Sequence, residues 1–206
     1  MFSQGRRWLV LAVALGLLAP VPGGAQAGED FSRMERLKLR RGKLVMRQRE
    51  ERRGQMNLVG GMSWQVVDLP IEVVGRAVKK VSEYEHLLPG VSKFHEVKGK
   101  GPFRVIRVCH ARRSVEGCYH ANIRFANGGR DAFFQLDQSR DNDLRAGWGF
   151  VRVSEYGDDK TLFAWGVMAD VGRGILAGLM RPHVREWMLK VPTTAKKHLE
   201  RTYDAT

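Results

Sequence analysis

Along the middle of the chain the spacing of apolar residues changes period in a definite order. Ser63 to Val67 alternates as a strand, Asp68-Leu69-Pro70 reads as a turn, and Ile71, Val74, Val78 and Val81 recur at the three- and four-residue spacing of an amphipathic helix over roughly 71–81. Pro70 suits the start of that helix, because the N–H it lacks would have no partner there. Tyr84, Leu87 and Leu88 fill a second, short helical turn that Pro89-Gly90 ends. Strand patterns then dominate until a last helical stripe of Met180, Val184, Trp187, Val191 and Ala195, preceded by a short apolar turn at Ile175 to Met180. Pro192 interrupts that stripe; the N–H it lacks would have bonded to Met188, so the helix is expected to kink or divide. Upstream, Lys43 to Glu50 alternates loosely and Gly54 turns it into Met56 to Val67, an N-terminal β-hairpin. Asp30 to Leu39 reads as a short helix or a flexible lead-in.

The hairpin turns set strand registers that can be checked against one another. Asn127-Gly128-Gly129-Arg130 has glycine at both central positions, as a type I′ turn prefers, and pairs Phe125 with Ala132, Ile123 with Phe134 and Ala121 with Leu136. A turn near Ser139 to Asp143 pairs Leu136 with Ala146, Phe134 with Trp148 and Ala132 with Phe150. A turn around Tyr156 to Asp159 pairs Trp148 with Trp165, Phe150 with Phe163 and Ala146 with Val167. These partners share one packed face. The other face collects Asp131, Gln135, Asp137, Arg145, Gly147 and Gly149, as in a sheet that is wet on one side.

A loop at Arg112 to Gly117 sets Cys109 opposite Cys118, Val108 opposite Tyr119 and Ile106 opposite Ala121, with both cysteines pointing away from the packed face. Opposed positions bring Cβ atoms to about 4.5–5.5 Å, within reach of a bridge once the strands twist. A disulfide stapling the hairpin is the simplest reading in an exported protein, with free thiols or metal ligation as the alternatives. Arg104 falls on the packed face beside Ile123. An unpaired charge there is costly, so its head reaches water at the rim of the sheet or anchors a carboxylate or phosphate.

Composition changes this picture chiefly at the N-terminus. The 206 residues are 43% hydrophobic and 28% charged, ordinary material for one domain with appendages. Residues 1–27 read as a signal peptide: basic MFSQGRR, apolar Trp8 to Ala19, and small residues at Ala25-Gln26-Ala27. The apolar run is shorter than the ~20 residues of a spanning helix, and no cysteine follows the cleavage site. A periplasmic or secreted product starting near Gly28 is expected, with 28–42 a basic lead-in and 43–206 the folded domain. The formal charge of +13 falls to +11 when Arg6 and Arg7 leave with the leader. Much of the excess lies in Arg33 to Arg53, read as a solvated face or a contact to an anionic membrane surface; export argues against nucleic acid as the partner.

Set in this order, Val67-Asp68-Leu69-Pro70-Ile71-Glu72-Val73-Val74, the turn Tyr84 to Val91, Thr161-Leu162-Phe163 and the Pro192-bearing last helix resemble the START-like, Bet v 1-like superfamily of polyketide cyclases and lipid-transport proteins. Gly75 departs from the pattern, since many relatives carry tryptophan there. The resemblance implies an α+β helix-grip fold, a curved antiparallel sheet wrapped around a long C-terminal helix, with a cavity for a hydrophobic small molecule or lipid between them. The packed-face register nominates the lining: Arg104, Tyr119, Ile123, Phe125, Phe134, Trp148, Phe150, Phe163 and Trp165 from the sheet, and Val184, Trp187 and Met188 from the helix. These residues could equally pack on one another as a filled core. The turn Tyr84 to Val91 is the expected gate.

No catalytic, metal or cofactor site is expected. The six histidines form no H-x-x-x-H or H-E-x-x-H pair and there is no G-x-S-x-G elbow. A binding or carrier protein is the reading favoured; a cyclase- or hydrolase-type cavity enzyme, acting on a polyketide-like or ester substrate, is the alternative.

Overall fold

The computed structural model describes residues 30–112, 115–172 and 185–203. The expected signal peptide, the apolar turn at Ile175 to Met180 and the nominated Val184 lie outside the described residues. Eight described strands are β1 (Val45–Arg53), β2 (Met56–Val67), β3 (Val91–Lys100), β4 (Phe103–Arg112), β5 (Val115–Ala126), β6 (Asp131–Leu136), β7 (Ala146–Glu155) and β8 (Thr161–Asp170). All pair antiparallel in one sheet of order β1-β2-β8-β7-β6-β5-β4-β3. β3 to β8 is thus a continuous meander, and the chain crosses from β2 to the far edge strand β3 through two helices.

Those helices follow the expected punctuation. Helix α2 (Ile71–Lys79) starts from Pro70, whose carbonyl accepts from the N–H groups of Val73 and Val74 at 3.1 and 3.2 Å. A 3₁₀ turn at Val81–Glu83 leads into α3 (Tyr84–Leu87). The stripe Ile71, Val74, Val78 and Val81 is buried throughout, each side chain contributing up to about 1.5–3 kcal/mol by leaving water. The C-terminal helix divides where proline demands it. A helical turn over 185–188 stops at Leu189-Lys190, and α4 (Val191–Tyr203) begins anew with Pro192 in its first turn, where a missing N–H leaves no bond unmade.

Helix α4 lies against β2 and β8, and this defines the inner face of the sheet. Ile106, Val108, Ala121, Ile123, Phe125, Ala132, Val151, Val153, Phe163 and Trp165 from that face join Leu189, Val191, Ala195 and Leu199 and the α2–α3 residues in one core. The lead-in is helical: α1 (Arg33–Arg40) carries a Ser32/Glu35 capping box and contacts β1 and β2. Its Glu35 takes a two-pronged bond from Arg47 at 2.8 Å on each oxygen. From Ser32 the chain forms one compact unit.

The hairpin turning at Gly54 forms as expected, and the registers β4–β5 and β5–β6 are as expected, including Cys109 opposite Cys118 and Phe125 opposite Ala132. The Asn127-to-Arg130 turn has φ of 69° at Gly128 and 104° at Gly129, and Gly129 sits so close to α2 that a Cβ would come 2.8 Å from the Gly75 carbonyl oxygen. The next two registers differ from expectation. Gln135, not Phe134, faces Trp148, and Phe133, not Ala132, faces Phe150. Across β7–β8, Val151 faces Trp165 and Val153 faces Phe163, while Trp148 faces Met168, Phe150 faces Gly166 and Ala146 faces Asp170.

A one-residue shift moves a strand's whole side-chain set to the other face, so Trp148 and Phe150 stand on the outer face and Gly147 and Gly149 on the inner. The loop after β6 causes the first shift. Asp143 and Cys118 exchange bonds at 2.7 and 2.9 Å, and Asn142 Oδ1 accepts from the His120 N–H at 2.6 Å, so the loop itself pairs with β5 before β7 begins. A five-residue loop closed by Tyr156 N–H to Lys160 O at 2.9 Å sets the second.

Candidate functional site

The inner face is built in registered rows. Tyr84 enters it from α3, buried, its hydroxyl donating to the Val78 carbonyl at 2.8 Å. Its ring meets Phe134 edge-on at 5.4 Å and Phe125 at 6.4 Å, and Phe134 meets Trp165 edge-on at 5.4 Å. Ile123, Phe125, Phe163 and Trp165 are buried and Phe134 is partly so. The structure thus brings together Tyr119, Ile123, Phe125, Phe134, Phe163 and Trp165 on one surface, and leaves Trp148 and Phe150 on the other side of the sheet.

Polar groups punctuate this apolar surface at three places. At one end of β4, Arg104 occupies its expected inner position opposite Ile123. Its Nε lies 3.1 Å from a Glu96 oxygen and its Nη1 donates to the Gly101 and Phe103 carbonyls at 2.6 and 2.8 Å. The guanidinium is therefore held by the hairpin end, and it reaches an anionic head group only by leaving Glu96.

Six residues along the same strand, roughly 20 Å away at 3.3–3.4 Å per residue, stands His110. Its Nδ1 is 2.9 Å from the Pro89 carbonyl oxygen, which can only accept, so Nδ1 carries the proton and Nε2 accepts from the Tyr119 hydroxyl at 3.0 Å. Trp187 meets the imidazole edge-on at 4.7 Å, and its ring lies against Gly90. Burial pushes the His110 pKa down against the opposing pull of the Pro89 carbonyl, and burial pushes the Tyr119 phenol up; the pair is a neutral imidazole and a neutral phenol. The expected gate, Tyr84 to Val91, is tied here to β4 and β5. Met188 is half-buried one residue beyond Trp187.

The third place lies between β2 and β8. Ser63 stands directly opposite Trp165. The Ser63 Oγ and the Trp165 Nε1 are both buried and have no hydrogen-bond partner among the described residues. Two donors stand side by side in register without partners among the described residues, whereas buried Gln65, two residues along β2, is bonded to Gly42 and Thr193.

Beside the inner face, the Glu83 carboxylate receives His198 Nε2 at 2.7 Å, Lys80 Nζ at 2.9 Å and the Tyr203 hydroxyl at 3.1 Å. Burial pushes its pKa up, but the bonds from His198, Lys80 and Tyr203 outweigh it and hold the group below its usual value. His86 stacks on His198 at 4.8 Å. This cluster joins α3 to α4. Cys109 and Cys118 form a disulfide; Glu116 lies beside them, and the bonded sulfurs offer no thiolate to a metal.

Sequence reasoning missed His110, Ser63 and Glu83 as site groups. His110 alone carried a signal, since it continues the inner parity of Ile106 and Val108.

This eight-stranded antiparallel sheet, closed over by a C-terminal helix and with a helix pair between its second and third strands, is similar in fold to solved structures. A START superfamily protein from Mycobacterium smegmatis superposes with a TM-score of 0.57 at 14% identity, over 70% of this chain and 98% of that one. The chain has the START-like, Bet v 1-like helix-grip fold. The Zhui aromatase/cyclase from Streptomyces sp. R1128 matches with a TM-score of 0.54 at 14% identity, over 76% of this chain and 95% of its own. A STAR-related lipid transfer protein from Xanthomonas axonopodis matches with 0.52 at 11%, over 74% and 98%. No protein-family model matches the sequence, and no curated protein is similar enough in sequence to count as a relative. At these identities the helix-grip likeness concerns the fold.

Proposed function

We propose that this chain is an exported binding or carrier protein for a hydrophobic, lipid-like ligand held between the inner face of the sheet and the C-terminal helix. Residues 1–27 are its signal peptide, 28–42 a basic lead-in and 43–206 the ligand-binding domain, and its compartment is the periplasm or the exterior. The Cys109–Cys118 disulfide supports an oxidising destination. Among the described residues no helix is long and apolar enough to cross a membrane.

The observation that carries the reading is the pair of buried donors, Trp165 Nε1–H and Ser63 Oγ–H, left without partners among the described residues. In a filled core such groups are nearly always paired. A ligand with an apolar body and one hydrogen-bond acceptor, a carbonyl or hydroxyl oxygen, would satisfy them while its body lies on Phe134, Phe163 and Ile123. The lipid transfer and aromatase/cyclase proteins that share the fold support the ligand class.

Extraction of the purified protein followed by mass spectrometry tests this: a co-purifying acyl or polycyclic molecule is expected. Ser63→Ala removes one unpaired donor with little change in volume, so it should leave the empty protein at least as stable while lowering ligand retention roughly tenfold, the loss of one buried hydrogen bond. A protein that yields no ligand and takes up no fluorescent fatty acid would sink the reading.

A cavity enzyme of cyclase or hydrolase type is the second reading, favoured by one observation, the hydrogen-bonded His110–Tyr119 pair facing inward. His110 would be the base. Turnover of a polyketide-like or ester substrate that vanishes in His110→Gln, with ligand uptake retained, would decide for it.

A further inference from the structure

The outer face of the sheet, opposite α4, holds an open groove of about 530 Å³ over β3 to β7. Two adjacent cross-strand rows build it. One runs Lys100, Phe103, Arg124, Phe133; the next runs Lys98, Val105, Asn122, Gln135, Trp148. Phe103 is 56% exposed at the tip of the β3–β4 hairpin and Trp148 is 36% exposed, a degree of aromatic exposure that a free surface does not favour.

The groove is also one-signed. Its outer-face lining holds Lys98, Lys100 and Arg124, Arg104 borders it from the hairpin end, and no carboxylate lines it. Nearby acids are engaged elsewhere: Glu96 with Arg104, Asp131 with Arg152, Glu51 with Arg49 and Arg53. Lys98, Lys100 and Arg124 have no ion-pair partner among the described residues, and the Arg124 guanidinium lies over the Phe133 ring at 4.6 Å.

We propose that this outer face is a docking surface for an anionic lipid bilayer. Phe103 and Trp148 enter the headgroup layer, where amphipathic aromatic rings are favoured, and Lys98, Lys100 and Arg124 meet lipid phosphates while their alkyl stems lie along the rings. The charge complementarity selects anionic over zwitterionic lipid. The side chains that carry the proposal, Lys98, Lys100, Phe103, Arg124 and Trp148, stand on the other face of the sheet from the proposed ligand site, and the proposal does not rest on the carrier reading.

Binding of the full-length protein to phosphatidylglycerol–phosphatidylcholine vesicles, against pure phosphatidylcholine, tests it. Differences between variants are read, so any contribution of residues 1–27 is common to all. Lys98→Gln/Lys100→Gln should weaken binding to the anionic vesicles roughly 30-fold, and Phe103→Ala roughly tenfold. Arg49→Gln/Arg52→Gln, the same charge change on the opposite edge strand, should have little effect. Brominated lipid should quench a fluorescence component that Trp148→Phe removes. Ligand content after extraction should be the same in every variant, which separates failure here from failure of the carrier reading. Three results would overturn the proposal: groove variants that bind like the original protein, an equal loss in the β1 variant, or self-association that Phe103→Ala abolishes, which would assign the face to a second copy.

Discussion

His110 shows how much one side chain's surroundings decide. A histidine on a packed face can be a filler, but here both ring nitrogens are committed, to Pro89 and to Tyr119. Burial holds its pKa below the ordinary 6.5, so between the two values the unfolded chain binds more protons than the folded one. Stability from this group is therefore complete above about pH 6.5 and is lost as pH falls through that value toward the folded pKa. Thermal melts between about pH 7.5 and 5.5 should show a falling midpoint, and His110→Gln should flatten that fall. The position's face was legible in the sequence from its parity with Ile106 and Val108. Its partners were not, because Pro89 and Tyr119 reach it from separate strands and turns.

Among the elements, α3 and α4 are joined by Glu83, whose three donors come from Lys80, His198 and Tyr203. Glu83→Ala removes the acceptor that Lys80, His198 and Tyr203 share and is expected to destabilise the protein by about 2–3 kcal/mol, measured by urea denaturation. The held-down carboxyl adds an acid limb: its contribution is present above the unfolded value of 4.5 and is lost as pH falls through the lower folded pKa. That window lies below the one set by His110, so the two are separable in a single pH series.

Strand β7 explains where the reading of elements from sequence failed. Gly147-Trp148-Gly149-Phe150 favours one face by its aromatics, whereas Val151-Arg152-Val153-Ser154 favours the other by its β-branched residues. The valines prevail, and the rings go outside, where Phe150 lies over Gly166. The shift was set by loop bonds from Asn142 and Asp143 to β5, long-range contacts with no local periodicity. The hairpin at Gly54 and the register fixed by the tight turn at Gly128-Gly129 were legible because the turn chemistry is local.

For the whole molecule, the order strand, helix pair, meander and helix was enough to specify the helix-grip architecture, since short connections leave little freedom in antiparallel pairing. The candidate ligand site was less legible: Trp165 and Phe134 follow from parity, but a Trp165 N–H without a partner among the described residues is a property of packing. The sheet also ends in two strands, β1 and β3, each paired with a strand on one side only among the described residues. Strand β1 carries the run Arg47, Arg49, Glu50, Glu51, Arg52 and Arg53. The basic segment then has a second consequence at the scale of many copies. It is a guard against edge-to-edge templating, in which one molecule's border strand recruits the next into a growing sheet. Arg49→Val/Arg52→Val should leave the single molecule folded yet make it associate with rising concentration, seen as growing light scatter and thioflavin fluorescence.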